Sequence, residues 1–270
     1  MKNNIGIVQG RLSKAPKGRL QFFPKKWEKE FFLAKKAKLQ FIEFFSERRF
    51  NKENPIWNDE KIKLYKKFAK KHNLKIINFC DDYIIQNSIL NKKNQKYFNR
   101  LILQCSKLKV KNIILPMYSS SDLNDENSQI YTKVLKKISL EAKKQKMNIL
   151  IESNISPMSF SKLVKKIKSK NIYFLFDTGN RAIINRNLEK DIIEFGKFLK
   201  HVHIKDKNNL KKNVPLGKGL VNFKNVFISL KKIKFKGNFT IESIRGNNPV
   251  FTARKNVLKI KSLINNVLTR

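Results

Sequence analysis

Four residues with side chains that commonly bind metal ions come at or near the ends of short apolar runs in the second half of the sequence. Glu152 ends NILIE, Asp177 ends IYFLFD, His203 lies in KHVHIKD and Glu242 follows NFTI. Short apolar runs of this kind are typical of buried strands. The separations of 25, 26 and 39 residues leave room for a helix between one parallel strand and the next. The sequence therefore predicts that these side chains lie at the ends of successive parallel strands.

Such a group of side chains could share one divalent cation. Three carboxylates and one imidazole form a hard, oxygen-rich ligand set that suits Mn²⁺, Mg²⁺ or Co²⁺ and is compatible with Zn²⁺. Ligand positions left open on the ion could take two neighbouring oxygens of a substrate. We therefore expect a metal centre formed by Glu152, Asp177, His203 and Glu242. The alternative for each residue alone is a salt bridge with a lysine or a hydrogen-bonded histidine in the core.

Short apolar runs alternate with longer amphipathic stretches along the whole chain. This pattern predicts strands at 5–10, 41–45, 75–80, 112–118, 148–153, 172–177, 200–205 and 238–243, and helices at 27–38, 58–73, 92–108, 126–146, 159–169, 188–199, 222–234 and 249–268. Eight strand–helix units with continuously apolar strands indicate an α/β fold, a (β/α)₈ TIM barrel, as a single domain over residues 1–270. An open doubly wound sheet is the structural alternative, but the chain has no G-x-G-x-x-G after its first strand and no Walker loop.

Two connections are longer than a barrel needs, at residues 11–24 and 205–219. Both follow a predicted strand, so both should lie over the C-terminal rim of the barrel, where active sites of this fold form. We expect them to cover a substrate. Helix starts are predicted at Asn58 or Asp59 for the second helix and at Ser159 or Ser161 for the helix after the fifth strand, because these residues cap helices well.

The chain is strongly basic, with 60 Lys and Arg against 20 Asp and Glu and a formal net charge of +40. The lysines recur in almost every predicted helix instead of concentrating in one segment, which favours a solvated basic exterior over a dedicated nucleic-acid surface. No apolar run approaches the roughly 20 residues that span a bilayer, and no signal-peptide pattern opens the chain. These observations predict a soluble cytoplasmic protein, with Cys80 and Cys105 as buried small residues.

A set of motifs carries a resemblance to a known family. The segments IES, FDTGN, HVHIKD, LGKGLVNF and TIES, together with the opening GIVQGRLS and QFFPKKWEKEF, resemble the xylose-isomerase-like TIM barrel superfamily, in particular its sugar phosphate isomerase/epimerase members. The resemblance to ketose 3-epimerases implies that Glu152 and Glu242 both bind the metal and transfer protons, with Asp177 and His203 as the other ligands. It implies proton abstraction next to a sugar carbonyl through a metal-stabilised enediolate. It also implies association as a homodimer.

The sequence departs from this family at two positions that contact substrate. The epimerases carry a histidine three residues after the metal-binding Asp and an arginine six residues after the metal-binding His, where this chain has Asn180 and Asn209. Cations on the rim loops could replace them and would suit a phosphorylated or carboxylated sugar; they are Arg181, Lys205, Lys218 and Arg245. The expected substrate-binding residues are Gln9, Arg11, Glu43 and Asp82 at the ends of the first three strands, and Asn180, Lys205, Lys218 and Arg245 on later loops.

A nuclease is the alternative reading from another class, because endonuclease IV has the same barrel and similar rim motifs. Resemblance to that enzyme would imply a three-zinc site, which needs several more histidines than the three in this chain, His72, His201 and His203. Strand alternation is expected to turn His201 away from His203. We therefore expect a small sugar or sugar phosphate as partner, and neither nucleic acid nor membrane. Inosose dehydration or isomerisation of a hydroxy-aldehyde remains open, because these reactions use the same metal ligands.

Overall fold

The computed structural model describes residues 3–16, 19, 21–184 and 187–268. Part of the predicted loop 11–24, at positions 17, 18 and 20, lies outside the described residues. The remainder of the chain shows the predicted alternation of strands and helices.

The strands are short and mostly buried. In chain order they are β1 (Ile5–Val8), β2 (Phe41–Ser46), β3 (Asn78–Asp81), β4 (Asn112–Pro116), β5 (Asn148–Glu152), β6 (Ile172–Asp177), β7 (Leu199–Ile204), β8 (Asp206–Lys207), β9 (Asn213–Val214) and β10 (Asn238–Ile241). Eight of them form a closed barrel in the order β1-β10-β7-β6-β5-β4-β3-β2, and β8 and β9 form a separate antiparallel pair. The α/β barrel predicted from the sequence is therefore confirmed.

Along the chain, helices alternate with the barrel strands. They are α1 (Lys29–Lys36), α2 (Asp59–Lys71), α3 (Tyr83–Gln86), α4 (Lys92–Leu108), α5 (Thr132–Lys144), α6 (Pro157–Ile167), α7 (Thr178–Ala182), α8 (Leu188–Phe195), α9 (Phe223–Lys232) and α10 (Pro249–Leu268). The bounds predicted for α4 and α10 agree with the structure. The short helices α3 and α7 follow β3 and β6 directly and have no pattern long enough to predict them.

Local sequence explains where several helices begin. The Asn58 side chain accepts a hydrogen bond from Lys61 N at 2.9 Å, as expected for the start of α2. Helix α6 begins two residues earlier than predicted, because Ser156 is its N-cap and accepts from Ser159 N, and Pro157 occupies the first turn. The prediction of Ser159 or Ser161 as the cap is therefore wrong. Proline at the first helical position favours this earlier start, because its missing N–H leaves no further donor unsatisfied there.

Tertiary contacts divide the chain into two compact units, and whether the whole forms one domain stays a prediction. The first unit comprises residues 1–42, 72–75 and 175–270. Its central strands pair in parallel, with Ile7 beside Ile241 and Thr240 beside His203. Helix α10 packs on α9 and α1, and α8 packs on α9. Buried aromatic side chains, including Phe227 and Phe239 with ring centroids 5.2 Å apart, fill its core.

The second unit comprises residues 43–71 and 76–174. Strands β3, β4 and β5 pair in parallel within it, and α4 packs on α2 and α5. Phe44 stacks on Tyr65 with centroids 4.5 Å apart, and Phe160 meets Phe174 edge to face at 5.2 Å. The apolar faces of the helices thus cover the strands, as the continuously apolar runs predicted.

The loop after β7 is ordered by one buried carboxylate. Asp206 accepts hydrogen bonds from the backbone N–H groups of Gly217 at 2.8 Å, Gly219 at 2.9 Å and Val221 at 3.2 Å. Gly217 has φ +82°, and a Cβ at Gly219 would collide with the Asp206 side chain. The two glycines of LGKG are therefore needed to fold this loop around Asp206. The loop is a β8–β9 hairpin and not an irregular connection.

No helix in the described part of the chain combines the length and hydropathy needed to cross a bilayer.

Candidate active site

Three of the four predicted metal ligands lie together in the first unit. Asp177 is the last residue of β6, His203 is the fifth residue of β7, and Glu242 directly follows β10. The parallel pairing of Thr240 with His203 continues beyond β10, because Glu242 N donates to Ile204 O at 3.0 Å. The ends of these strands therefore bring the three side chains to one place.

Two side chains, Lys205 and His203, each lie close to both carboxylates of this cluster. His203 Nδ1 lies 3.1 Å from Glu242 Oε2 and 4.0 Å from Asp177 Oδ2. Lys205 Nζ lies 2.9 Å from Glu242 Oε1 and 3.0 Å from Asp177 Oδ2. Arg11 adds a second cation, with its guanidinium 3.4 Å from Glu242 Oε1. The two carboxylate oxygens of Glu242 thus have different neighbours: Oε1 lies beside Lys205 and Arg11, and Oε2 lies beside the imidazole of His203.

These contacts decide the charge of Glu242. Burial favours the neutral acid, but the Lys205 charge, the hydrogen bond and charge of His203 and the Arg11 charge oppose it. Together they hold the pKa of Glu242 well below its usual range. The carboxylate is therefore ionised at neutral pH.

The donor set suits a divalent cation. Asp177 and Glu242 offer carboxylate oxygens, His203 offers a ring nitrogen, and all three side chains are largely buried. Hard oxygen donors with one imidazole fit Mn²⁺, Mg²⁺, Co²⁺ or Zn²⁺. The residues present therefore fit the metal that the sequence implied.

His201 does not behave as the sequence analysis expected. Its ring lies 5.6 Å from the ring of His203, nearly perpendicular to it, and its Nε2 lies 2.8 Å from Thr240 Oγ1. Residues two apart on a strand point to the same face, so both imidazoles lie on one side of β7. The expectation that alternation separates them is wrong. The Thr240 hydroxyl is a polar partner for the buried His201 ring.

The fourth predicted ligand belongs to the second unit. Glu152 is the last residue of β5, is 5 % exposed, and accepts a hydrogen bond from Tyr118 Oη at 3.1 Å. Strand β5 pairs with β6 in parallel, with Ile151 beside Phe174. The role of Glu152 as a ligand stays a prediction.

Glu43 lies deeper than predicted. It is the third residue of β2 and not its end, and its Oε2 accepts from Asn78 Nδ2 at 2.9 Å. Asn78 in turn accepts from Asn112, and Asn112 from Asn148, at 2.8 and 2.9 Å. These asparagines are the first residues of β3, β4 and β5. Glu43 therefore lies level with the start of β3, and its contact with a substrate stays a prediction.

The other residues predicted to contact substrate include Asp82, Gln9, Arg11 and Asn180, and each has a partner within the protein. Asp82 directly follows β3, is 7 % exposed, and lies 3.5 Å from Cys80 Sγ. Gln9 follows β1 and is buried, as is Arg11, whose guanidinium also donates to Gln21 at 3.1 Å. Asn180 donates its backbone N–H to Asp177 Oδ1 at 2.7 Å and thereby fixes that carboxylate. Their contact with a substrate stays a prediction.

The four predicted rim cations differ in what they contact. Lys205 lies within the cluster, whereas Lys218 is exposed in the segment that follows β9. Arg181 forms a buried ion pair with Asp191, with Nε 2.9 Å from Oδ2, and lies over the ring of Phe195. This ion pair joins α7 to α8, and a contact of Arg181 with substrate stays a prediction.

Arg245 supports the loop that carries Arg11. Its Nε donates to Gly10 O at 3.0 Å, and its guanidinium lies 5.0 Å from the ring centroid of Phe22. Burial and the nearby charge of Arg11 lower the pKa of Arg245 to about 10, against a smaller opposing effect of Glu30. The side chain is thus engaged by the protein, and a direct contact with substrate stays a prediction.

Sequence analysis missed Glu30 and Asp206. Glu30 in α1 is 1 % exposed, and accepts from Gly10 N at 2.6 Å and Ser13 Oγ at 2.7 Å. Its burial raises its pKa, an effect that these hydrogen bonds and Arg245 oppose. A single Glu within a lysine-rich amphipathic helix carries no signal for burial. The D-x-x-x-x-x-x-x-x-x-x-G-x-G spacing after β7 could have indicated Asp206.

A buried acid in the second unit makes stability depend on pH. Asp81 accepts hydrogen bonds from Ser46 Oγ and from Tyr97 Oη at 2.8 Å, yet burial raises its pKa from 3.8 to about 6. The folded state therefore binds this proton more tightly than the unfolded chain, and its contribution to stability is lost as pH rises through 6. We expect wild type to lose about 3 kcal/mol of unfolding free energy between pH 3.5 and 7.5 from this group.

Urea unfolding of wild type and Asp81→Asn across this pH range measures the effect. The difference between their unfolding free energies should change by about 3 kcal/mol, because the amide does not titrate. An identical pH dependence in both proteins would show that Asp81 titrates normally.

Comparison with known proteins identifies the family. The family model described as "Xylose isomerase-like TIM barrel" matches residues 31–263, and the chain belongs to this family. A protein of Methanocaldococcus jannaschii named "Uncharacterized protein MJ1311" is 33 % identical over 92 residues, a match that covers 33 % of this chain and 31 % of that protein. The matched segment spans less than one third of that relative's length.

Solved structures with the same fold include epimerases. D-psicose 3-epimerase with D-tagatose from Clostridium cellulolyticum H10 superposes with a TM-score of 0.77 at 13 % identity and covers 97 % of this chain and 99 % of its own. 3-Keto-D-glucoside 4-epimerase YcjR from E. coli superposes with a TM-score of 0.73 at 18 % identity, over 97 % of this chain and 100 % of its own. The IolI protein with a bound zinc atom superposes with a TM-score of 0.70 at 16 % identity, over 98 % of each chain. At these identities the likeness establishes the fold.

Proposed function

We propose that this protein is a metal-dependent sugar or sugar-phosphate isomerase or epimerase. The observation that carries the proposal is the buried cluster of Asp177, His203 and Glu242, whose donor atoms suit a divalent cation. The family membership and the epimerases among the structures of the same fold support this class of reaction. The zinc atom in the IolI structure supports metal binding by a protein of this fold.

In this proposal Glu152 completes the ligand set from β5, and Glu152 and Glu242 form the proton-transferring pair. A bound divalent ion would polarise the substrate carbonyl as a Lewis acid. One glutamate removes the proton from the carbon beside the carbonyl, and the other returns one to the opposite face, which is epimerisation. Return to the neighbouring carbon is isomerisation. A general base must be ionised before it takes the proton, and the charges of Lys205, His203 and Arg11 keep Glu242 in that form.

Substrate recognition would come from the charged rim. Arg11 and Lys205 are the described cations that contact the cluster, and the exposed Lys218 lies on the loop after β7. Their charges would favour a sugar that carries a phosphate or carboxylate, or the negative charge that develops on the substrate during proton removal. Dimer formation and a cytoplasmic location belong to the same proposal.

Proton exchange with solvent tests this proposal directly. The protein is loaded with Mn²⁺, Mg²⁺, Co²⁺ or Zn²⁺ and incubated in D₂O with a panel of ketoses and their phosphates, and deuterium on the carbons beside the carbonyl is measured by NMR. We expect incorporation with at least one metal and one ketose, together with an epimer or isomer. Absence of exchange across the whole panel, with metal bound, would contradict the proposed reaction.

A nuclease receives less support. His201 is held by Thr240, and the ring of His72 contacts Phe32 with centroids 6.2 Å apart. His201 lies near His203, but a three-zinc site needs several more histidines than the three in this chain. Cleavage of an abasic-site duplex by the metal-loaded protein would reverse this judgement.

A further inference from the structure

The cluster contains a cation of its own, Lys205. Its side chain is 8 % exposed, and its ammonium lies 3.0 Å from Asp177 Oδ2 and 2.9 Å from Glu242 Oε1. A surface salt bridge needs only one partner, and most such bridges leave the lysine solvated. Lys205 is instead buried between the two carboxylates assigned to the metal in the proposed function.

The neighbouring segment is built to hold this lysine. Thr178 Oγ1 accepts a hydrogen bond from Lys205 N at 3.0 Å and donates to Lys205 O at 2.6 Å. Gly179 lies against the lysine stem, where a Cβ would come within 2.9 Å of Lys205 Cγ. Even the smallest side chain would therefore press on the stem, so glycine is what permits its close approach. The same D-T-G segment thus supplies Asp177 and positions Lys205.

Burying an ammonium is unfavourable unless opposite charges compensate for its lost hydration. Asp177 and Glu242 provide two negative charges, and Lys205 and Arg11 provide two positive charges, so this part of the cluster is balanced by the protein itself. A divalent cation bound to the same carboxylates would be repelled by the ammonium beside them. The lysine and a metal ion therefore draw on the same negative charge.

We propose that Lys205 is a built-in counter-cation of the metal centre, which weakens divalent metal binding and fixes the orientation of Glu242. Lys205 and Arg11 hold Oε1, so Oε2 is the oxygen that faces His203 Nδ1. Lys205 is thus a positioning residue that acts through Glu242. The inference rests on the proposed function only in assigning Asp177 and Glu242 as metal ligands.

Lys205→Met tests this inference, because methionine keeps most of the stem and removes the charge. Dissociation constants for Mn²⁺ are measured by isothermal titration calorimetry on wild type and variant, and the rise in unfolding temperature with added Mn²⁺ is measured in parallel. We expect Mn²⁺ to bind the variant at least about tenfold more tightly, because one positive charge beside the ligands is gone. Unchanged or weaker binding by a folded variant would overturn the inference.

Two further variants make the result specific. Gly179→Ala keeps every charge but presses on the lysine stem, so Mn²⁺ binding should also tighten, by a smaller factor than in Lys205→Met. Lys232→Met removes one exposed lysine from α9 and should leave the dissociation constant unchanged, which controls for the net charge of the protein. If Lys205→Met fails to fold, unchanged or weaker Mn²⁺ binding by Gly179→Ala alone contradicts the inference.

These titrations need no substrate, so the two proposals can fail separately. Tighter Mn²⁺ binding by Lys205→Met without any ketose exchange would reject the proposed sugar reaction and support the role of Lys205 as counter-cation. Ketose exchange in wild type with unchanged metal affinity in Lys205→Met would support the sugar reaction and reject the role of Lys205. Failure of both wild type and Lys205→Met to bind any divalent ion would overturn the proposal that Lys205 is a counter-cation.

Discussion

Glu242→Gln should reduce solvent-proton exchange into a turned-over ketose by about 10³-fold, within the range that general acid–base groups contribute. The amide keeps the shape of the side chain but cannot accept a proton at neutral pH. It also removes the negative charge that Lys205 and Arg11 share at Oε1. Deuterium incorporation and product formation, measured by NMR with saturating metal, quantify the loss.

A surface variant provides the control for Glu242→Gln. Glu60 lies on α2, pairs only with Lys63 among the described salt bridges, and has a side chain 75 % exposed. Glu60→Gln makes the same chemical change and should retain wild-type exchange. Exchange by Glu242→Gln within about tenfold of wild type would show that Glu242 is not one of the proton-transferring groups.

His203→Ala should abolish stoichiometric metal binding, the second large effect. The imidazole is the nitrogen donor of the cluster, and its Nδ1 lies 3.1 Å from Glu242 Oε2. Its loss removes a ligand and leaves the carboxylates with Lys205 and Arg11 as partners. We expect metal affinity to fall by more than about 100-fold, because loss of supporting residues alone costs 10- to 100-fold. Elemental mass spectrometry after gel filtration measures the metal retained per chain.

His72→Ala is the matched control, since this histidine packs against Phe32 outside the cluster. It should retain the metal content of wild type, close to one ion per chain. Full retention of metal by His203→Ala would contradict the assigned ligand set. Loss of metal from both variants would point to a general effect on folding, which the unfolding temperatures would reveal.

The order of strands and helices was predictable because it follows from local pattern. Continuous apolar runs are buried on both faces of a parallel sheet, and each amphipathic stretch covers it on one face. The same pattern placed Glu152 at the end of β5 and Asp177 at the end of β6. Element ends were less accurate: the third strand begins at Asn78, and Lys75 contributes only an isolated bridge to Phe41.

Pairing between elements distant in sequence was not predictable. Nothing in a chain with 60 Lys and Arg distinguishes Lys205, which contacts two carboxylates, from the exposed Lys218, 13 residues later. Arg181 looked like a rim cation, but α8 places Asp191 beside it. Glu43 looked like a strand end, but the strand register sets it beside Asn78.

The sequence by itself therefore determined the fold class and the residue types at the strand ends, because hydrophobic periodicity and helix capping act within a few residues. Only the tertiary structure decided which cations meet which carboxylates. Thr240 lies beside His203 in the parallel pairing of β7 and β10, and this register brings Glu242 to His203 and Lys205. Electrostatic interactions depend on distances of a few ångströms, and such distances are set by packing between distant segments.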